Sequence, residues 1–209
     1  MSNRALRAFR VWIISGPSGS GKTTLTDALL KDAYWKPRLV KSVSYTTRPK
    51  RPGEVEGRDY VHIGHKDFLR LLKQRAFLEH EEIFGASYGT PKKAVEDAKK
   101  AGRDLLLCID VKGARRVRRF FGKSAVSVFI LPPHLEALNE RLVKRSTESK
   151  KDIEKRLKRV KIELSLAKEY DYVVVNDDLR EALKKIKAIL LAKSCEGDYV
   201  LRTVGKIDR

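Results

Sequence analysis

Cysteine, aromatic residues and long apolar runs are all scarce in this chain of 209 residues. The two cysteines, Cys108 and Cys195, are too few for a disulfide framework, and they lack the spacing of metal ligands. No apolar run approaches the ~20 residues that a membrane-spanning helix needs, so a membrane partner is not expected. Aromatic residues make up only 8% of the chain, which leaves no evident stacking platform for single-stranded nucleic acid.

Acidic residues are also few compared with basic ones. The chain has 27 Asp and Glu and 46 Lys and Arg, which gives a formal net charge of +19. Such a surplus attracts phosphates, nucleotides, nucleic acid or anionic membranes. The basic residues are spread along the chain, so a solvated basic surface explains the charge equally well. No motif for RNA or DNA binding accompanies the charge, and nucleic acid is therefore not expected as a partner.

The length and the hydrophobic content, 42% of residues, predict a folded chain with one core domain and at most small inserts. The first ten residues, MSNRALRAFR, are basic and lead directly into an apolar run, which does not resemble a secretory signal. Because so few cysteines suit a reducing compartment, we expect a cytoplasmic protein.

Apolar strands alternate with amphipathic helices along most of the chain. Short apolar runs predict strands at 11–15, 105–109, 126–131 and 172–175. A stretch with apolar residues at helical spacing follows each of them, the last at 179–191. This alternation predicts an α/β fold in which helices cover both faces of a parallel sheet.

Residues 44–101 have a different pattern. They are more polar, are interrupted by Gly and Pro, and alternate as antiparallel strands do. We therefore expect a small mixed α/β insert attached to the main sheet.

Residues 16–23 read GPSGSGKT and fit the pattern G-x-x-x-x-G-K-T, between a predicted strand and a predicted helix. Glycines let backbone N–H groups approach phosphate oxygens, and the following helix adds the positive end of its dipole. Lys22 is expected to contact the β- and γ-phosphates, and Thr23 to offer its hydroxyl to Mg²⁺. The alternative is a glycine-rich turn with an exposed lysine. The predicted ATP-binding residues of this phosphate loop are Gly16, Pro17, Ser18, Gly19, Ser20, Gly21, Lys22, Thr23 and Thr24.

A second basic loop, SYTTRPKRPGE at 44–54, places Arg48 and Arg51 three positions apart in a segment stiffened by proline. Guanidinium groups bind phosphate oxygens in bidentate fashion, so this pair can hold one phosphate. Tyr60 and Tyr88 can add hydroxyl donors. Taken alone, the loop fits a solvated basic loop at least as well.

Six separated segments together resemble guanylate kinase in their order and spacing, over about residues 11–193. They read VWIISGPSGSGKTTL, SVSYTTRPKRPGEVEGRDY, FLEHEEIFGASYGT, IDVKGA, FILPP and VVVNDDL. The resemblance implies a phosphate-loop α/β core, a GMP-binding insert and a helical lid. In this chain it implies core segments at 1–43, 102–140 and 161–193, the insert at 44–101, the lid at 141–160 and a C-terminal tail at 194–209.

The resemblance also implies the reaction ATP + GMP ⇌ ADP + GDP, with Mg²⁺ as cofactor and dGMP as a further acceptor. Matching the motifs residue by residue gives GMP-phosphate contacts at Arg48, Arg51, Tyr60 and Tyr88, and guanine contacts at Ser44, Glu79 and Thr90. A carboxylate accepts hydrogen bonds from guanine N1–H and N2–H, whereas adenine would set an unprotonated N1 against it. Without its flanking motifs, Glu79 would be an ordinary carboxylate on a strand surface.

Asp110 follows a predicted strand at the sheet edge where ligands of parallel sheets gather. By the resemblance it orients GMP or holds an Mg²⁺-bound water, and it is also suited to cap the next helix. The family usually has another acidic residue two positions earlier, where this chain has Cys108. Because that residue is expected to be a buried neutral cysteine, the metal contacts stay open.

Further site residues follow from the resemblance alone. The expected catalytic residues are Lys22, Arg48 and three arginines of the lid, Arg141, Arg145 and Arg156, with Arg159 as an additional lid candidate. Asn176, which follows the last predicted strand, is expected on the adenine side of ATP.

Three other functions remain open from the sequence. They are a non-catalytic binding module related to guanylate kinase, a phosphate-loop protein that binds nucleic acid, and a small-molecule kinase with a different phosphorylated acceptor. The phosphate loop contains every required residue, which favours an enzyme over a binding module.

Overall fold

The computed structural model of the chain describes residues 9–134, 160–197 and 200, and two sheets organise this part of the chain. The main sheet is built from β1 (Val11–Ser15), β2 (Leu39–Lys41), β7 (Asp104–Cys108), β8 (Ala125–Leu131) and β9 (Tyr172–Val175). Its strand order is β2-β7-β1-β8-β9, and every neighbouring pair is parallel. The predicted parallel α/β core is therefore confirmed.

Helices cover both faces of the main sheet, because its central strand β1 is apolar and buried on both sides. Trp12 and Ile14 point to one face, where they pack against α1 (Lys22–Lys31) and α5 (Leu179–Ser194). Val11 and Ile13 point to the other face, where they pack against α3 (Lys93–Lys100) and α4 (Val111–Phe121).

The predicted strand bounds agree with the structure to within one residue. Strands 11–15 and 172–175 are confirmed, and the other two begin one residue earlier than predicted, at Asp104 and Ala125. Asp104 enters its strand despite its charge, because its buried carboxylate accepts hydrogen bonds from the backbone of Arg10 and from the Trp12 indole. The three-residue strand β2 was not predicted, since so short a run shows no period.

A second sheet of four strands carries the insert. It contains β3 (Ser44–Thr46), β4 (Tyr60–His62), β5 (Phe77–Ile83) and β6 (Ala86–Pro91), in the order β4-β3-β6-β5, with α2 (His65–Lys73) between β4 and β5. Pairs β3/β6 and β5/β6 are antiparallel, as the pattern predicts. The expectation of antiparallel pairing is wrong for β3 and β4, which are parallel because the long loop 47–59 returns the chain to the same end of the sheet.

The structure bears on two segments of the predicted division, the insert and the lid. Helix α3 lies within the predicted insert 44–101, yet its Ala98 is buried in the core of the main sheet. The predicted lid, 141–160, lies outside the described residues apart from Val160, which begins a helical stretch at 160–165. Within the described ranges, the helices are too short or too polar to cross a membrane.

Candidate active site

A cleft of about 240 Å³ lies between the phosphate loop and the insert sheet. The phosphate loop enters it directly after β1, and Cys108 to Asp110 enter it at the end of β7. Both strands present their carboxyl ends there, which is the edge where parallel sheets bind ligands. The insert contributes Ser44, Tyr60, Glu79 and Tyr88, one from each of its four strands.

The phosphate loop is held tightly against the end of the sheet. Gly16 has φ +139°, and a Cβ atom at this position would lie 2.4 Å from the carbonyl oxygen of Ile130. Lys22 Nζ donates to the carbonyl oxygens of Gly16, at 2.6 Å, and of Pro17, at 2.7 Å. The ammonium group therefore lies across the loop, at the positive end of α1.

Asn176 supports the phosphate loop from behind. Its side-chain amide donates to the carbonyl oxygen of Ser20 at 2.7 Å, and its backbone N–H donates to Leu131 at 2.8 Å. A Cβ atom at Gly21, which has φ +90°, would lie 2.2 Å from the Asn176 amide nitrogen. Asn176 thus links the end of β9 to the loop, and glycine at position 21 makes room for that link.

The predicted phosphate-binding loop of the insert is organised around Glu54. Arg48 Nη2 lies 2.6 Å from one Glu54 oxygen, and the backbone N–H of Arg51 donates to the other at 2.8 Å. Burial opposes the charge of Arg48, but its hydrogen bond to Glu54 outweighs this and raises the arginine pKa above its ordinary value. The Arg48 guanidinium lies 5.4 Å from the centre of the Tyr60 ring. Burial raises the pKa of Tyr60 to about 12, so its hydroxyl is a donor at neutral pH.

Glu79 places a carboxyl group in the wall of the cleft, where it is only 6% exposed. Thr90, directly opposite on β6, donates its hydroxyl to Glu79 Oε1 at 2.5 Å. Burial raises the pKa of Glu79 to about 7; the Thr90 hydrogen bond opposes this shift and the nearby charge of Asp110 adds to it. A carboxylate in this position is stabilised by any ligand that brings N–H donors to it.

Gly113 allows Glu79 and Asp110 to lie close together at the start of α4. A Cβ atom on Gly113 would lie 2.6 Å from Glu79 Oε2 and 3.0 Å from Asp110 Oδ1. Asp110 Oδ1 accepts a hydrogen bond from the Gly113 amide at 2.9 Å, so Asp110 caps the helix as well as lining the cleft. Both roles considered for Asp110 from the sequence are therefore open to it in this geometry.

The oxygen donors of the cleft fit a magnesium ion. Thr23 and Asp110 both line it, and each offers the hard oxygen that Mg²⁺ prefers. Within the described residues, no three His, Cys, Asp or Glu side chains come together as a metal site. One or two protein ligands are what Mg²⁺ usually takes when phosphates supply the others. Cys108 is half-buried and lines the cleft, so the expectation that it is buried is wrong.

Most predicted site residues of the described chain meet in this cleft. Those that line it are Gly16, Ser18, Gly19, Gly21, Lys22, Thr23, Thr24, Ser44, Arg51, Tyr60, Glu79, Tyr88 and Asp110. Those that adjoin the lining residues are Pro17, Ser20, Arg48, Thr90 and Asn176. Those that lie outside the described residues are Arg141, Arg145, Arg156 and Arg159.

Sequence reasoning missed several residues that line the cleft, namely Glu81, Ile83, Phe84, Val160 and Glu163. Glu81 is paired with Lys112 at 3.1 Å and with Arg116 at 2.8 Å, so it ties the insert sheet to α4. Strand alternation was a usable signal for Glu81, because it lies two positions after Glu79 on the same face.

The raised pKa of Glu79 predicts a specific dependence of stability on pH. The folded protein holds this proton up to about pH 7, whereas the ordinary value in the unfolded chain is 4.5. The free energy of unfolding contributed by Glu79 therefore falls as pH rises through this interval. Between pH 5 and 8, urea unfolding should show the wild type losing ~2–3 kcal/mol more than Glu79→Gln. Parallel profiles of the two proteins would contradict the buried position of this carboxyl group.

Comparison with known proteins agrees with this geometry. The guanylate kinase family model matches residues 8–193. The chain is 46% identical to the guanylate kinase of Coxiella burnetii over 197 residues, covering 94% of each chain. It is 46% identical to that of Methylococcus capsulatus over 180 residues, covering 86% of each chain.

A solved structure extends the similarity to the fold. The crystal structure of guanylate kinase from Anaplasma phagocytophilum matches with a TM-score of 0.73 and 34% sequence identity, and the match covers 93% of this chain and 90% of that one. Because the family model and these relatives span almost the whole chain, the protein belongs to the guanylate kinase family.

Proposed function

We propose that the cleft transfers the γ-phosphoryl group of ATP to GMP and releases ADP and GDP, the reaction for which the family is named. The observation that carries this proposal is that the phosphate loop, with Lys22, and the buried Glu79–Thr90 pair face one cleft. Donor and acceptor nucleotides bound at these two places would lie together, which converts a bimolecular reaction into a positioned one.

Glu79 would select the acceptor base. A guanine edge offers N1–H and N2–H donors. They would hydrogen-bond the buried carboxylate, which has little access to water. Thr90 holds one carboxylate oxygen, and Ser44, which lines the same cleft, would offer a hydroxyl to guanine O6. Adenine would leave the carboxylate facing an unprotonated nitrogen, and such unpaired buried groups discriminate strongly.

Arg48, Arg51, Tyr60 and Tyr88 would bind the GMP phosphate. Two guanidinium groups and a protonated phenol provide charge-assisted donors on one side of the cleft. These contacts address the base and the phosphate rather than the ribose. We therefore include dGMP as an acceptor in the proposal.

Lys22 and the amides of the phosphate loop would hold the donor phosphates. Thr23 and Asp110 would hold Mg²⁺ directly or through water, and the ion supplies neutralisation of phosphate charge when it is bound. Gly16, Gly19 and Gly21 have positive φ angles, a backbone conformation that lets successive amides form a concave site for an anion. Two unpaired cysteines fit a reducing cytoplasm as the site of action.

The chemical step would need no general base. The second pKa of a phosphate monoester is about 6, so the attacking GMP oxygen is already ionised at neutral pH. Catalysis would then rest on alignment and on neutralising charge around the transferred group. Lys22 supplies one positive charge, and the lid arginines Arg141, Arg145 and Arg156 complete the set in this proposal.

The test of the proposed function is a coupled assay of ADP release with ATP, Mg²⁺ and each of GMP, dGMP, AMP, CMP and UMP. We expect turnover with GMP and dGMP, and kcat/KM at least about 10³-fold lower with AMP, because its N1 leaves Glu79 unpaired. Equal turnover of GMP and AMP would contradict the role of Glu79. Turnover only with an acceptor of another kind would contradict the proposed reaction.

Substitution of Lys22 tests the donor side separately. Lys22→Ala should lower kcat by about 10²–10³-fold, because it removes a charge aligned with the transferred phosphate. The matched control is Lys31→Ala, which removes an exposed lysine from the far end of the same helix and should leave kcat unchanged. Melting temperatures of both variants establish that they are folded. An unaltered kcat in folded Lys22→Ala would overturn the proposed donor site.

A further inference from the structure

The proposed phosphate-binding arginines, Arg48 and Arg51, are connected through Glu54 to His62 on β4. His62 Nδ1 lies 2.6 Å from Glu56 Oε2, and its backbone N–H donates to Glu56 Oε1 at 2.8 Å. On the opposite side of the ring, His62 Nε2 faces Glu54 Oε2 at 3.4 Å. The side chain is 14% exposed, so the imidazole is held between two carboxylates with little access to water.

Glu54 connects this histidine to the acceptor site. While one of its oxygens faces His62, the same carboxylate binds Arg48 at 2.6 Å and the Arg51 backbone at 2.8 Å. Burial alone would raise the pKa of Glu54, but the hydrogen bonds from Arg48 and Arg51 outweigh it and lower that pKa. A charged Glu54 thus contacts His62 and both arginines of the loop.

The protonated ring is the form of His62 that suits this position. Only an imidazolium has N–H donors on both nitrogens, and here each nitrogen faces a carboxylate. A neutral ring would turn a lone pair toward one of the carboxylates. Nε2 is buried and has no hydrogen-bond partner within the part of the chain that is described, so a small approach of Glu54 would complete the second bond.

We propose that His62, as an imidazolium, is a positioning residue that holds Glu54 against Arg48 and so aligns the arginines for the acceptor phosphate. This inference rests on the proposed function, since the phosphate is that of GMP. His62 does not itself line the cleft and acts through Glu54.

The other groups around His62 leave this charge balance in place. Its own strand contributes Tyr60, whose ring centre is 6.1 Å away, and the paired strand β3 contributes Thr46 at the matching register. Lys50 acts on Glu56 by its charge alone. The contacts with Glu54 and Glu56 therefore fix the position of the His62 ring beside the loop.

The consequence is a dependence of GMP binding on the His62 ring. Without the ring, Glu54 loses one of the groups that face it and Arg48 is less well aligned, so the KM for GMP rises. The kcat should change little, because the arginines still reach the phosphate once GMP is bound. Ionisation of GMP and of Glu79 also alters the KM, so the effect is measured as a ratio between variant and wild type.

The experiment compares the wild type with His62→Phe, which keeps the ring beside Tyr60, and His62→Gln, which keeps one N–H donor. Steady-state kinetics at one pH give the KM for GMP and the kcat of each protein. We expect the KM ratio of His62→Phe to wild type to be about tenfold, with little change in kcat. His62→Gln should give a smaller KM ratio, because it keeps a donor for one carboxylate. His65→Asn, an exposed histidine at the start of α2, is the matched control and should show no change.

Other outcomes would contradict either the positioning role of His62 or the proposed function. A KM ratio near one in folded His62→Phe, or equal KM ratios for His62→Phe and His62→Gln, would make His62 a packing residue only. A fall in kcat without a rise in KM would also overturn the positioning role. Wild-type turnover of GMP is measured in the same assay; its absence would overturn the proposed function and this inference together, whereas its presence with unchanged variants overturns this inference alone.

Discussion

The burial of Glu79 is the constraint around which the acceptor half of the cleft is arranged. A carboxylate with so little access to water is costly unless donors are supplied, and the Thr90 hydroxyl is one such donor, hydrogen-bonded to Glu79 Oε1. Gly113 keeps the start of α4 free of a side chain that would displace Glu79. In the proposed function guanine supplies further donors to Glu79, and selectivity for this base would follow from them.

Positive charge on the acceptor side is fixed in position by acidic residues rather than left to solvent. Glu54 holds Arg48 and the backbone of Arg51, and Glu81 binds Lys112 and Arg116 across the junction of the insert with α4. Aligned cations lose little conformational entropy when a phosphate binds, which favours affinity. Part of the net charge of +19 therefore lies around the site, a choice that the sequence pattern alone left open against a solvated basic surface.

The sequence allowed the core and the phosphate loop to be predicted because their signals are local. Strand 11–15 is one apolar run, and the loop after it needs glycines at fixed positions. The parallel pairing of β3 with β4 could not be predicted, since it depends on the path of the loop 47–59. Likewise, Asn176 lies 156 positions after Ser20 of the loop that it supports, and no local sequence pattern predicts such a distant contact. The resemblance supplied Glu79, whereas its burial and its raised pKa emerge only from packing.

The measurement that tests the central claim most directly is a crystal structure with GMP and a non-hydrolysable ATP analogue bound. The account predicts guanine N1 and N2 within about 3.2 Å of the Glu79 carboxylate, and the γ-phosphate of the analogue beside Lys22. A guanine ring bound away from Glu79, or donor phosphates bound outside the glycine-rich loop, would contradict it.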